Sequence, residues 1–109
     1  MPPKPKFTRE ELIKAALELA REGGLEAIVA RNLGKKLDTA PSTIFTHFNS
    51  VEEIRQAVIE AARELYNGYV EKGLKMVPPM KGFAVQYIRF AMEESNLYSV
   101  LFMNKRDGF

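Results

Sequence analysis

The chain has 109 residues, of which 46% are hydrophobic and 28% are charged, the balance of a globular protein rather than a disordered or collagen-like one. Its length fits a single domain. Sixteen basic and fourteen acidic residues leave a net charge of +2, and the chain has no Cys and one His, so a charged tail, a disulfide framework and a Cys-rich or His-rich metal site are all excluded.

Residues 1–6 carry three prolines and two lysines and predict a flexible arm. No apolar run follows them, so they do not predict a signal peptide. The most apolar later stretch, 83–103, is interrupted by charged and amide side chains, whereas a membrane span needs about 20 mostly apolar residues. We therefore expect no membrane span and a cytoplasmic location.

A capping box marks the start of the first helix. Thr8 and Glu11 have the spacing at which each side chain accepts a hydrogen bond from the other residue's backbone amide. Apolar residues at helical spacing follow, and a Gly-Gly pair at 23–24 ends the pattern. The spacing predicts a helix over 9–22.

Two short helices are predicted next, joined by a turn of about three residues. The first covers about 28–37 and places Arg31 and Lys35 on one face, because they lie four residues apart. The second covers about 41–48, with Pro41 as its first residue and with Ile44 and Phe48 pointing inward. Two short helices joined in this way have the geometry of a helix-turn-helix.

A long helix is predicted to start after Ser50, which forms a second capping box with Glu53. Two further helices are predicted over about 80–94 and 96–103. The later helices carry aromatic and Met side chains that either line a ligand pocket or form the core: Tyr66, Tyr69, Phe83, Tyr87, Phe90, Tyr98, Phe102 and Met103. We see no strand pattern, and the expected fold class is all-α.

Two blocks of sequence resemble a known family. The first is Arg9-Glu10-Glu11-Leu12-Ile13-Lys14-Ala15-Ala16-Leu17-Glu18-Leu19, and the second is Thr43-Ile44-Phe45-Thr46-His47-Phe48-Asn49-Ser50 followed by Glu52-Glu53-Ile54. With these blocks at this separation, the run from Phe7 to Leu65 resembles the DNA-binding domain of the tetracycline-repressor (TetR) family of bacterial transcription regulators. Residues 87–98 resemble, more loosely, the start of that family's helical body.

The resemblance implies a three-helix, helix-turn-helix DNA-binding head over 7–50. Residues 51–109 would then form a long connecting helix and two further helices, part of a ligand-binding and dimerisation region. The implied function is sequence-specific DNA binding by a transcriptional regulator, expected to be a repressor that responds to a small apolar or aromatic inducer. Its partners would be a double-stranded DNA operator and a second copy of the chain. How this chain dimerises stays open, because family members dimerise through later helices.

Eight residues are expected to contact DNA, and for several of them a role outside DNA binding stays open. Arg31 and Lys35 either bind phosphates or form a solvated face, and Lys36 is a weaker candidate. Phe45 either packs against the DNA backbone or joins the core, and His47 either contacts phosphate or packs against the protein. The predicted set is Arg31, Lys35, Pro41, Ser42, Thr43, Phe45, Thr46 and His47.

Five positions depart from the family pattern. Val29 stands where Ser or Thr usually caps the second helix, and Phe45 and Val51 replace a Tyr and a Lys that commonly meet phosphates. Gly34 replaces a small Ala, and Asp38 replaces a Gly in the turn, where Asp tolerates the left-handed conformation better than most residues. The losses at positions 45 and 51 support an alternative function, a helical interaction or small-molecule-binding module that keeps the head as a scaffold with weak or no DNA binding. No residue pattern indicates an enzyme, a cofactor or a metal site.

Overall fold

The computed structural model describes residues 7–103, so the arm predicted over residues 1–6 lies outside the described residues. Within 7–103 there are helices and turns and no strand, which confirms the all-α prediction. In chain order the elements are α1 (Arg9–Gly23), a 3₁₀ turn (Leu25–Ala27), α2 (Ala30–Leu37), a 3₁₀ helix (Pro41–Thr46), α3 (Val51–Leu74), α4 (Pro79–Glu93), α5 (Ser95–Tyr98) and a π-helical turn (Ser99–Met103).

The described residues divide into two compact units, one that ends at Val58 and one that begins at Ile59. The 24-residue helix α3 contributes residues to both units. Its residues Ile54 and Val58 are fully buried and belong to the N-terminal unit.

Helix α1 begins as the capping box predicts. The Glu11 amide donates to the Thr8 hydroxyl at 3.0 Å, and the Thr8 amide donates to the Glu11 carboxylate at 2.9 Å. The helix ends at Gly24, whose φ of 78° lies in the region that favours glycine. The predicted helix over 9–22 is confirmed.

Helix α2 begins two residues later than predicted. Ile28 and Val29 are tied instead to the preceding 3₁₀ turn, through bonds from the Ile28 amide to the Leu25 carbonyl and from the Val29 amide to the Ala27 carbonyl. Val29 has an extended backbone and occupies the cap position of α2 without a side-chain cap bond. The structure therefore agrees with the sequence prediction that no side chain caps the start of α2.

The predicted α-helix over 41–48 is wrong in type, because the segment is a 3₁₀ helix over Pro41–Thr46 in which Phe45 departs from helical dihedrals. The Thr43 amide donates to the Ala40 carbonyl, three residues back, and the Thr46 hydroxyl donates to the Thr43 carbonyl. Short segments of this kind favour bonds to the third residue, and a hydroxyl that takes a backbone carbonyl competes with continued α-helix.

The turn between α2 and the 3₁₀ helix depends on two residues. Asp38 adopts the left-handed conformation with φ and ψ both 53°, which Asp tolerates better than most residues. The Thr39 amide donates to the Gly34 carbonyl at 2.9 Å, and a Cβ on Gly34 would lie 2.8 Å from the Thr39 carbonyl oxygen. Gly34 therefore permits a close approach that Ala would obstruct.

Helix α3 starts with a variant of the predicted second capping box. The Glu53 amide donates to the Ser50 hydroxyl, as predicted, but the Glu53 carboxylate accepts from the Asn49 amide at 2.7 Å and not from Ser50. In the C-terminal unit, α3 and α4 cross closely at Gly73 and Gly82, where a Cβ on either residue would meet the backbone of the other. None of the helices within residues 7–103 is both long and apolar enough to cross a membrane.

Substitution of Gly34 tests the close turn. We expect Gly34→Ala to lower the free energy of unfolding by about 1–3 kcal/mol, because the added methyl displaces backbone rather than a flexible side chain. Gly68→Ala is the matched control, since no atom lies within 4 Å of its Cβ position in α3. It should raise stability by up to about 1 kcal/mol through helix propensity. Urea denaturation followed by circular dichroism measures both, and stabilisation by both substitutions would contradict the constraint at Gly34.

Candidate nucleic-acid interface

The 3₁₀ helix is held from beneath by two apolar side chains. Ile44 is fully buried and Phe48 is 7% exposed, so both occupy the inward positions that the sequence predicts. The Arg9 guanidinium from α1 lies over the Phe48 ring, 4.8 Å from its centroid. These contacts fix one side of the 3₁₀ helix and leave the other side in solvent.

Hydroxyl side chains occupy the outward side. Ser42 and Thr46 are exposed and Thr43 is half-buried. The Thr46 hydroxyl uses its proton in the 2.9 Å bond to the Thr43 carbonyl, so its oxygen lone pairs are left as acceptors. Six residues at about 2.0 Å each extend roughly 12 Å, close to the width of the DNA major groove. The short 3₁₀ helix therefore presents hydrogen-bonding groups on a length that fits a groove.

Phe45 and His47, which flank Thr46, have different surroundings. Phe45 is 41% exposed, which removes the alternative that it is a core residue. His47 is half-buried, its ring centroid lies 5.6 Å from that of Phe7, and its Nε2 lies 3.1 Å from the Phe7 carbonyl oxygen. Because a carbonyl oxygen only accepts, Nε2 is the donor, and only Nδ1 is left for another partner.

A surface depression brings three of the predicted residues together. Arg31 and Lys35 of α2 and Pro41 of the 3₁₀ helix line a concave region of about 530 Å³ beside the turn. Arg31 and Lys35 are exposed, and neither has an ion pair with another residue in 7–103. Two cations without an ion pair therefore lie beside an exposed hydroxyl face, an arrangement suited to binding anionic groups such as phosphates.

Lys36, adjacent to Lys35, is already paired. Its Nζ lies 3.0 Å from a Glu22 carboxylate oxygen and 3.6 Å from one of Glu18, so it joins α2 to α1. The hydrogen bond to Glu22 raises the pKa of Lys36 above its ordinary value. Periodicity places the two lysines on neighbouring faces, but only the structure shows that Lys35 is free while Lys36 is engaged.

Arg55 of α3 is a residue that the sequence analysis does not single out. Its Nη2 donates to the Ile28 carbonyl at 3.1 Å, and its Nη1 lies 3.7 Å from Glu52. Its Nε is buried and has no hydrogen-bond partner among the described residues. Arg55 thus holds the backbone just before α2 to the first turns of α3, within the N-terminal unit. No local signal reveals this contact, because its partners are 27 residues apart.

The aromatic residues of the C-terminal unit pack mostly against one another. Tyr66 contacts Tyr87, Phe90 and Phe102 in edge-to-face geometry with centroids 5.1–6.2 Å apart. The Tyr87 and Tyr98 hydroxyls are 2.7 Å apart, and this bond is the main reason that the pKa of Tyr87 is raised. These rings pack into one aromatic cluster in which Phe90 is fully buried, so the core interpretation holds for Phe90. It does not hold for Phe102 and Met103, which are exposed. Among residues 7–103, no group of three or more acidic or His side chains is placed to hold a metal ion.

Comparisons with known proteins find relatives among bacterial transcriptional regulators. The model of the family described as "Bacterial regulatory proteins, tetR family" matches residues 12–58, which cover most of α1, all of α2 and the 3₁₀ helix, and the start of α3. The uncharacterized HTH-type transcriptional regulator YobS of Bacillus subtilis (strain 168) is 24% identical over 98% of this chain and 58% of its own length. The HTH-type transcriptional regulator TcmR of Streptomyces glaucescens is 34% identical over 59% of this chain and 28% of its own length.

The chain therefore spans little more than half of the first relative and less than a third of the second. No solved structure gives a significant match.

The unfilled cap of α2 yields a gain-of-stability prediction. Thr is close to Val in shape, and the extended backbone of Val29 already suits a cap residue. We expect Val29→Thr to raise the free energy of unfolding by about 0.5–2 kcal/mol, because its hydroxyl accepts a bond from a free amide in the first turn of α2. Val29→Ala, which adds no acceptor, should give no gain. Urea denaturation measures the free energy of unfolding of both variants. If Val29→Thr is no more stable than the parent chain, the cap geometry is contradicted.

Proposed function

We propose, from the premise that this chain belongs to the tetR family of bacterial regulatory proteins, that it is a sequence-specific DNA-binding transcriptional regulator. The observation that carries this proposal is the hydroxyl face of the 3₁₀ helix, exposed above the buried Ile44 and Phe48. Ser42, Thr43 and Thr46 would contact base edges in the major groove. The Ser42 and Thr43 hydroxyls would donate or accept there, whereas the Thr46 hydroxyl would only accept, because its proton is used in the bond to the Thr43 carbonyl.

Phosphate contacts would come from the depression beside this face. Arg31 and Lys35 are exposed and lie next to Pro41, so they are suited to hold the DNA backbone on either side of the groove. Phe45 would pack against the backbone, and His47 would contribute through Nδ1, since its Nε2 is bonded to Phe7. These residues complete the proposed contact set.

The remaining parts of the proposal follow from the family. The head over 7–50 would bind a double-stranded operator, and residues 51–109 would belong to a region that binds an inducer and dimerises. A homodimer is proposed because specific recognition by helix-turn-helix proteins generally uses two half-sites about 34 Å apart. The chain would act in the cytoplasm as a repressor released by a small molecule, and no catalytic role is proposed.

The second candidate function is a helical interaction or small-molecule-binding module with weak or no DNA binding. Three observations favour it: the unfilled cap at Val29, the Phe at position 45, and the use of His47 Nε2 within the protein. Each removes a group that would otherwise meet a phosphate. Absence of duplex binding at low salt, with the chain folded and dimeric by light scattering, would favour this module over a regulator.

A salt titration tests the phosphate contacts. The logarithm of the affinity for duplex DNA should fall with the logarithm of salt concentration, and Lys35→Gln should reduce this slope by about 1 because one phosphate contact is lost. Lys36→Gln is the matched control, because Lys36 is paired with Glu18 and Glu22 and should leave the slope unchanged. Equal losses of slope in both variants, measured by fluorescence anisotropy, would contradict the assignment of Lys35.

A charge placed on the hydroxyl face tests the base-reading side. Thr46→Glu should abolish specific duplex binding, because a carboxylate in the groove meets a dense field of phosphates. Asn67→Glu adds the same charge at an exposed position of α3 in the C-terminal unit and should retain binding. Both variants should keep the circular dichroism of the parent chain. Retained specific binding by Thr46→Glu would place the DNA on another surface.

A further inference from the structure

The Thr46 hydroxyl is tied to the last turn of the 3₁₀ helix. It donates its proton to the Thr43 carbonyl oxygen at 2.9 Å. This bond spans Phe45, whose backbone departs from helical dihedrals. The hydroxyl therefore closes the helix at the point where helical geometry is lost, while the Thr46 side chain stays exposed.

A hydroxyl bound in this way has only acceptor capacity left. A Thr hydroxyl carries one proton and two lone pairs, and the proton of Thr46 is already in use. The neutral ring of His47 is limited in the same way, because its Nε2 donates to the Phe7 carbonyl and leaves Nδ1 as an acceptor. Thr46 and the neutral His47 ring therefore accept hydrogen bonds from a partner and offer no donor to it.

Ser42, at the other end of the 3₁₀ helix, has both capacities. It is exposed, and its hydroxyl forms no hydrogen bond to another residue in 7–103. It can turn to donate or to accept as its partner requires. The two ends of the helix thus differ in what they can recognise, although both carry hydroxyls.

Donors and acceptors are distributed unequally among the bases of the major groove. The adenine N6 and cytosine N4 amino groups donate there, whereas guanine O6 and thymine O4 occupy the corresponding positions and accept. An acceptor held above a keto oxygen gains no hydrogen bond and sets lone pairs against lone pairs. An acceptor-only side chain therefore separates adenine from guanine and cytosine from thymine.

We propose that Thr46 is a specificity-determining residue, which selects an amino-bearing base, adenine or cytosine, at the operator position that it contacts. The Thr46 oxygen accepts from the amino group of the base while its proton stays on the Thr43 carbonyl. Ser42, with a free hydroxyl, makes no such selection. This inference rests on the proposed function, because it requires the hydroxyl face to lie in the major groove, and it adds the class of base that is read at one position.

Selection of duplexes from a random pool measures the base preference. At one position of the selected site, the parent chain should favour adenine over guanine, or cytosine over thymine, by about fivefold, the scale of one hydrogen bond. Thr46→Val keeps the shape and loses the hydroxyl, so it should lose this preference, whereas Thr46→Ser and the matched control Ser42→Ala should keep it. The proposal is overturned if no position responds to Thr46→Val, or if the responding position favours guanine or thymine in the parent chain.

Base analogues test the hydrogen bond itself. Unsubstituted purine in place of the selected adenine, or pyrimidin-2-one in place of the selected cytosine, removes only the amino group. Because this change also weakens the base pair, the parent chain and Thr46→Val are compared on the same duplexes by fluorescence anisotropy. The analogue should cost the parent chain about fivefold more affinity than it costs Thr46→Val. Equal costs in the two chains overturn the assignment of Thr46 alone, whereas a parent chain that binds no duplex at low salt overturns the proposed function as well.

Discussion

The burial of Ile44 and Phe48 is the constraint on which the proposed interface depends. A six-residue 3₁₀ helix has little stability of its own, so its position is set by these two side chains beneath it and by the Arg9 guanidinium over the Phe48 ring. Burying Ile and Phe side chains is worth about 1.5–3 kcal/mol each. This support turns Ser42 and Thr46 outward, and the Thr46 hydroxyl donates only within the 3₁₀ helix, to the Thr43 carbonyl. A short element can in this way offer its polar side to another molecule.

A second set of contacts decides which charges remain free. The carbonyl of Thr39 approaches the Gly34 backbone, and Asp38 takes the left-handed conformation, so the turn brings Pro41 beside Arg31 and Lys35. Lys36, one residue further on, joins α2 to α1 through two carboxylates instead. The net charge of +2 does not by itself indicate what kind of molecule the chain binds. For the proposed phosphate binding, the important point is that Lys36 is engaged in ion pairs while Lys35 is not.

Local patterns predict much of this fold and only part of the site. The capping box at Thr8, the extent of α1, the left-handed turn and the two inward side chains are confirmed, because each depends on residues close in sequence. The α-helical type of residues 41–48 is wrong, since the choice between α and 3₁₀ bonding in so short a segment is decided by single hydroxyl contacts. The contacts of His47 with Phe7 and of Arg55 with Ile28 join residues 40 and 27 positions apart, which no periodicity encodes. The pairing of Lys36 with Glu18 and Glu22 also joins residues that are distant in sequence, so local patterns do not predict it.

The most direct test of the central claim is to locate the hydroxyl face on DNA. A duplex selected from a random pool for tight binding would be mixed with chain labelled at the Thr methyl groups, and nuclear Overhauser effects between protein and DNA would be recorded. The account predicts contacts from the Thr43 and Thr46 methyls to major-groove protons, such as thymine methyls and cytosine H5. Contacts from other helices to those protons, with the Thr43 and Thr46 methyls silent toward DNA, would contradict it.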